Sequence, residues 1–455
     1  MNKCITNKQK MNVMKKLLFL LMACPLVMFA SCDDDDPAQE PVSVVIELEY
    51  PEADDITELA GVTVKVESAT ASFDAVTDAN GRVSFNLNPD YYTVTVEDIR
   101  SHNGNGYKYV ATTRQAIDNA WDVTAPWIVK LTKADFSMSQ VIIKEIYTGG
   151  CQNDEGSGTF AYDRYIILYN NSDAPASLGD ICLATTLPYL SSGSNNYIQS
   201  GTLSYEAEGW MPAGLAVWHF QNNVVIEPGK QIVIAMTNAI DNTNTYKKSV
   251  NFANPEYYCT YDLDVFSHAL TYVTPSELIP TSHYLKAQAY GSGTAWTLAN
   301  QCPGLFIFAP EGCTPAEFAK DTSRETLHGS LVGRKVPVEW IKDGVEVFWE
   351  GRTNQKRFVA SVDNGSILHQ TGFGYSVYRN VDKEATEALS GNAGKLVYSY
   401  TKGTVDVVDK YGTTDPSDID AEASIKNGAR IIYKDTNNST NDFHLRRVAS
   451  LANGQ

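Results

Sequence analysis

The stretch Val141-Ile142-Ile143-Lys144-Glu145-Ile146-Tyr147-Thr148-Gly149-Gly150 decides the fold of most of this chain. β-Branched and aromatic residues crowd it and a glycine pair closes it, so it reads as a strand ending in a turn. Downstream, Tyr162-Asp163-Arg164-Tyr165-Ile166-Ile167-Leu168-Tyr169 runs into Asn170-Asn171-Ser172-Asp173, a second strand and turn. Leu178-Gly179-Asp180-Ile181-Cys182-Leu183 continues the series, and Val224 to Ala235 adds a strand around Pro228-Gly229. There Pro228 presets φ and Gly229 allows the positive φ of a type II turn.

Upstream the pattern alternates. Val42, Val44, Ile46 and Leu48 take one face and Ser43, Glu47 and Glu49 the other, the period of a half-buried strand. Val62 to Val66 and Tyr92 to Val96 repeat it, and Asn80-Gly81 between them carries the signal of a tight hairpin turn. The composition agrees: 455 residues, 43% apolar and 11% aromatic with 25 Tyr, can bury sizeable cores and do not describe a disordered chain. The expected class is mainly all-β: two β-sandwich domains, the second immunoglobulin-like with a large insertion containing a short helix. That helix is expected at Pro315–Lys320, with Thr314 as N-cap and Pro315 at the first position. Glu339 to Trp349 is expected as two short strands around Asp343-Gly344.

The first 31 residues read as an address. Lys15 and Lys16 precede an apolar run, Leu17 to Ala30, too short for a spanning helix. Phe29-Ala30-Ser31-Cys32 resembles a bacterial lipobox, which implies lipidation of Cys32 and anchoring in a membrane. Leu21-Met22-Ala23-Cys24 resembles one too; Cys32 is preferred because cleavage at Cys24 leaves Pro25 to Ala30 on the mature end. Met1, Met11 and Met14 all stand as start codons. Asp33 to Asp36 resemble the acidic export tag of Bacteroidetes surface lipoproteins, which implies an outer-membrane protein facing outward. Losing residues 1–31 removes five Lys and no acid, so the formal charge goes from -18 to about -23. Such a surface excludes nucleic acid as a partner and leaves the acyl chains to hold the membrane.

Two further resemblances concern fold. Residues 41–133, with Gly61-Val62-Thr63-Val64-Lys65-Val66, Thr77-Asp78-Ala79-Asn80-Gly81-Arg82 and Tyr91-Tyr92-Thr93-Val94, resemble transthyretin-like domains related to carboxypeptidase regulatory domains. Such modules mostly serve as stalks. Residues 138–455 resemble the lamin-tail domain, in the strands quoted above and in Gly374-Tyr375-Ser376-Val377-Tyr378-Arg379 and Asn437-Asn438-Ser439-Thr440-Asn441-Asp442-Phe443. Ile167 departs from the family's Glu, and about 236–369 is expected as an insertion into that sandwich. Residues 32–40 form an acidic tether. The whole resembles uncharacterised Bacteroidetes surface lipoproteins, which implies proximity to a TonB-dependent outer-membrane transporter.

Chemistry is sparse. No HExxH, GxSxG, GxxxxGK[ST] or CxxC spacing occurs. Asp262, Asp264 and His268 form the metal candidate, since two carboxylates and an imidazole suit Zn²⁺ or Fe²⁺, although a polar loop carries such residues for no metal at all. Cys151, Cys182, Cys259, Cys302 and Cys313 allow at most two disulfides, Cys302–Cys313 among them, or five reduced thiols. Of Trp210, Trp218, Trp296, Trp340 and Trp349, most should be core and one or two at a binding surface. No enzyme and no cofactor is expected, and no ligand-binding residue is singled out. The expectation is a non-catalytic surface lipoprotein that captures a nutrient, a metal chelate or glycan, for such a transporter. The alternatives are an adhesive or architectural surface protein and, more distantly, a metal-dependent hydrolase.

Overall fold

A computed structural model describes residues 40–452 except 55, 103–104, 135–140, 269, 297 and 405–413. The leader, both lipobox cysteines and the tether up to residue 39 lie outside the described residues. The fold is all-β and sandwich-built, with a few helices of four to six residues.

The N-terminal strands are β1 (Val42–Glu49), β2 (Thr63–Glu67), β3 (Ser72–Val76), β4 (Arg82–Leu87), β5 (Asp90–His102), β6 (Asn105–Ile117), β7 (Trp127–Lys130) and β8 (Thr132–Ala134). They form two sheets, β4-β1-β7 and β3-β2-β5-β6-β8. Val44, Ile46 and Leu48 from the first sheet meet Val64, Val66, Val94 and Val96 from the second in one apolar core. The alternation of β1 is thus explained by burial of one face. Asn80-Gly81 does make a turn, with Gly81 at φ +74°, its amide donating to the Asp78 carbonyl at 3.0 Å. It is not a hairpin, however: β3 and β4 belong to different sheets, so the turn carries the chain from one layer to the other.

The remaining strands build a larger assembly. Apart from six two-residue strands that pair among themselves, they are in chain order β9 (Val141–Tyr147), β10 (Tyr165–Asn170), β11 (Cys182–Thr186), β12 (Trp210–His219), β13 (Gln231–Ala235), β14 (Tyr258–Cys259), β15 (Lys286–Ala289) and β16 (Gly304–Phe308). Then come β17 (Glu325–His328), β18 (Leu331–Pro337), β19 (Ile341–Trp349), β20 (Ile367–His369), β21 (Ser376–Arg379) and β22 (Phe443–Arg446). A six-stranded sheet runs β14-β13-β10-β9-β21-β22. The other sheet runs β17-β18-β12-β11-β16-β19-β20, with β15 also paired to β12. Ile143, Ile146, Ile166, Leu168 and Ile234 of the first sheet pack on Leu183, Trp218, Leu305, Ile307 and Val345 of the second.

Both outer faces are covered as well. Met211, Val217, Phe306 and Phe308 lie under α1 (Pro315–Lys320) and residues 358–362. On the other side Ile142, Tyr169 and Tyr378 lie under Ile419, Ile431 and Tyr433. Every residue of β9 is therefore buried, Lys144 and Glu145 included. A bulge makes this possible: pairing with β10 shifts register between Ile167 and Leu168, whose partners are Glu145 and Ile143. The extra residue keeps Ile143 and Ile146 in the inter-sheet core and sends the two consecutive charges to the outer face.

Residues 236–369 divide into two parts. From Lys286 onward they supply β15 to β20, integral strands of the larger sheet rather than a loop excursion. Residues up to about 285 are mostly loop, and a further irregular stretch joins β19 to β20. Helix α1 forms where expected, closed by a reciprocal capping box between Thr314 and Glu317. The expected pair of strands around Asp343-Gly344 is instead the single strand β19. It can continue because Asp343 is buried and its carboxylate accepts the Ile143 amide at 2.6 Å and pairs with Arg379, so this dipeptide is an anchor, not a turn. The five cysteines among the described residues are free thiols, so the Cys302–Cys313 bridge is not formed.

Candidate functional site

The loop-rich part of 236–369 folds back on the end of β12. Cys259 forms a parallel bridge to Tyr284, and the Leu285 amide donates to the Cys259 carbonyl at 2.9 Å. Gln221 ties the same region from below: its side-chain amide donates to the carbonyls of Thr281, at 2.9 Å, and Tyr284. His283 stacks on Tyr258 with centroids 4.1 Å apart and its Nδ1–H donates to the Tyr257 carbonyl at 3.0 Å, so it is spent on packing. These ties shape an open groove of about 490 Å³. Gln221, Asn222, Tyr261, Thr281, Ser282, Tyr284 and Lys286 line it together with Asp262 and Asp264. The Tyr261 and Tyr284 rings meet edge to face, 5.4 Å between centroids.

Two members of the metal candidate lie here, but the three do not assemble into a ligand set. Asp262 is buried in the groove wall, where its carboxylate accepts the Ala287 amide at 3.1 Å and Lys286 Nζ at 3.4 Å. The Asp264 side chain is 93% exposed, 4.0 Å from the same ammonium. The imidazole of His268 is hydrogen-bonded through Nδ1 to Thr271 Oγ1 at 2.9 Å and does not line the groove. Among the described residues no group of three His, Cys, Asp or Glu side chains is placed to hold a metal ion. The physical reason is Lys286: its positive charge occupies the space between the two carboxylates that a cation would need.

The tryptophans also divide unevenly. Trp210, Trp218, Trp296 and Trp340 are buried; Trp218 packs on Phe266 and Trp296 in the inter-sheet core. Trp349 is half-buried, with the Arg352 guanidinium 4.7 Å above its ring. None of these five lines the groove. Its aromatic surface comes from Tyr261 and Tyr284 instead. No motif in the sequence joins Gln221 to Thr281, Ser282, Tyr284 and Lys286: these lie 60 and more residues downstream and meet it only through the pairing of β12 with β15. The one local signal was the tyrosine-rich run ending at Tyr261.

The arrangement presents amide, hydroxyl and ammonium donors, an exposed carboxylate and two phenol rings in one open groove. That set can satisfy the hydroxyl groups of a polar ligand while offering ring faces and edges to its C–H surface.

No curated protein matches this chain. A crystal structure of a DUF4876 family protein from Bacteroides thetaiotaomicron VPI-5482 is similar at 19% identity and a TM-score of 0.47, over 90% of this chain and 95% of that one. Residues 227–406 match the family described as "Protein of unknown function (DUF4876)".

Proposed function

We propose that this protein is a non-catalytic binding component of the bacterial cell surface, lipid-anchored at Cys32 in the outer membrane, that captures a glycan for a TonB-dependent outer-membrane transporter. The observation that carries the reading is the groove between Gln221 and Lys286, with its tyrosine pair and its mixed neutral and charged hydrogen-bonding groups. It favours a glycan over a metal chelate, because the nearest carboxylates are engaged by Lys286. In this reading residues 41–133 are a transthyretin-like stalk, and the lamin-tail-like sandwich from residue 138 carries the groove above the membrane. Calorimetric titration with a panel of neutral and acidic oligosaccharides tests it. Binding to at least one, weakened by about tenfold or more in Tyr284→Ala through loss of a stacking surface, is the expected result. Affinity purification from native membranes should bring down a barrel transporter; recovery of none, with no oligosaccharide bound, overturns the proposal.

A second reading, an adhesive surface protein, uses the same groove on glycans of host or neighbouring cells. Deletion would then abolish cell attachment while leaving growth on every limiting nutrient normal.

A further inference from the structure

A second concavity, of about 380 Å³, is built from four segments distant in sequence. Cys151 and Gln152, Lys248, Phe373 and Gly374, and Arg447, Val448 and Ala452 line it. Backbone hydrogen bonds hold these segments together. The Gly374 amide donates to the Gly150 carbonyl at 2.9 Å, and the Ala449 amide donates to the Gly374 carbonyl at 3.1 Å. Val250 and Ala452 form an antiparallel bridge beside them. The cavity is thus set by the fold rather than by loose side chains, as ligand sites usually are.

Its chemistry is two-sided. Cys151, Phe373, Val448 and Ala452 give it an apolar interior; burial pushes the Cys151 thiol up to about 12, so it stays neutral. Phe373 is 55% exposed and is held by stacking on Tyr375 at 5.3 Å and 22°. The only charged residues of the lining are two cations, Lys248 and Arg447. Among the described residues neither is in an ion pair, although the chain carries 54 acids against 36 bases. Arg447 Nη2 donates to the Thr401 carbonyl, which holds the guanidinium without neutralising it; in so acidic a protein, two cations with no carboxylate partner among the described residues mark a place where the anion comes from elsewhere.

We infer that this cavity binds a small amphiphilic carboxylate, its apolar or aromatic body against Phe373 and Val448 and its anionic group between Lys248 and Arg447. The site shares no residue with the groove of the proposed glycan reading, so either can fail without the other.

The probe is 1-naphthaleneacetate, titrated into the full chain and followed by calorimetry and ligand-observed NMR. Binding on the order of 0.1 mM is expected for a ligand of this size, and it should weaken in about 0.5 M NaCl. The alcohol 2-(1-naphthyl)ethanol should bind about tenfold or more weakly, and so should the acid to Lys248→Met/Arg447→Met. Phe373→Ala should weaken both probes alike. All three substitutions are at exposed side chains, and circular dichroism checks that the fold is kept. Equal binding of acid and alcohol, unchanged binding of the acid to the double variant, or no binding at about 5 mM would each overturn the inference.

Discussion

Lys144 is a full positive charge with no solvent exposure, placed there by the bulge in β9. Its ammonium lies 2.7 Å from Glu422 Oε1 and 2.7 Å from Gln231 Oε1. The rings of Tyr169, Tyr378 and Tyr433 surround it, with centroids 5.9, 5.5 and 5.7 Å away. Replacing it with Met keeps the volume and removes the charge. Breaking a buried pair by removing one partner costs about 3–5 kcal/mol. Glu422 is 20% exposed and can partly rehydrate, so the lower end applies. The three rings sit near the outer limit of cation–π attraction and add about 0.5 kcal/mol together. The net expectation for Lys144→Met is about 3 kcal/mol of local stability, close to a hundredfold in an opening equilibrium.

Hydrogen exchange read by mass spectrometry is the suitable assay, because a chain with separate cores need not unfold in two states. Peptides covering Val141–Tyr147 and α2 (Ala421–Lys426), which carries Glu422, should exchange about a hundredfold faster. Peptides from β1 to β8 should be unchanged. A double-mutant cycle with Glu422→Gln should show coupling of about 1 kcal/mol or more. The pH dependence provides a sign test. Burial alone would raise the Glu422 pKa, yet Lys144 and the Tyr378 hydroxyl outweigh it and hold the value below that of a free glutamate. That contribution is present above the unfolded pKa and is lost as pH falls through the lower folded value; in Lys144→Met this acid-labile contribution should vanish. A change in exchange below about fivefold, or no coupling to Glu422, would refute the reasoning.

Two other predictions follow from the buried groups. Asp163 accepts hydrogen bonds from Ser249 Oγ at 2.6 Å and Tyr147 at 3.3 Å, while burial raises its pKa to about 6 and its other oxygen is unpartnered. Its folded pKa is above the unfolded one, so stability is fully present below about pH 4 and declines as pH rises through about 6, by roughly 2–3 kcal/mol. Asp163→Asn should flatten that decline, as seen in thermal melts from about pH 4.5 to 7.5; a parallel decline in the variant would refute it. In a recombinant chain beginning at Glu40, all five cysteines should react with a thiol reagent in denaturant, and Cys313, the one not fully buried, should react first in the native state. Fewer than five reactive thiols would reveal a disulfide.

The local features were legible in the sequence because they rest on a few neighbouring residues. The alternation of β1, the positive φ of Gly229 at +70° and the capping box of α1 each depend on backbone sterics or short-range hydrogen bonds. The all-β class follows from the same local signals. Partner choice is different, since it is decided by residues tens to hundreds of positions away. Asn80-Gly81 specified a turn but not which sheet received the next strand. Asp343-Gly344 carries the signature of a turn, and it is the distant Arg379 and Ile143 that hold the aspartate inside a strand. Lys144-Glu145 gave no sign of burial, because only the bulge and the cover from residues 376–450 take the two charges out of water. Asp262, Asp264 and His268 are close in sequence, which says nothing about Lys286 standing between the carboxylates. Sequence by itself determined the acidity of this protein, its all-β class and those strands and turns that rest on local sterics. Tertiary structure alone decided which charges are buried and where the groove and the cationic cavity form, because both are made by long-range contacts that no local pattern encodes.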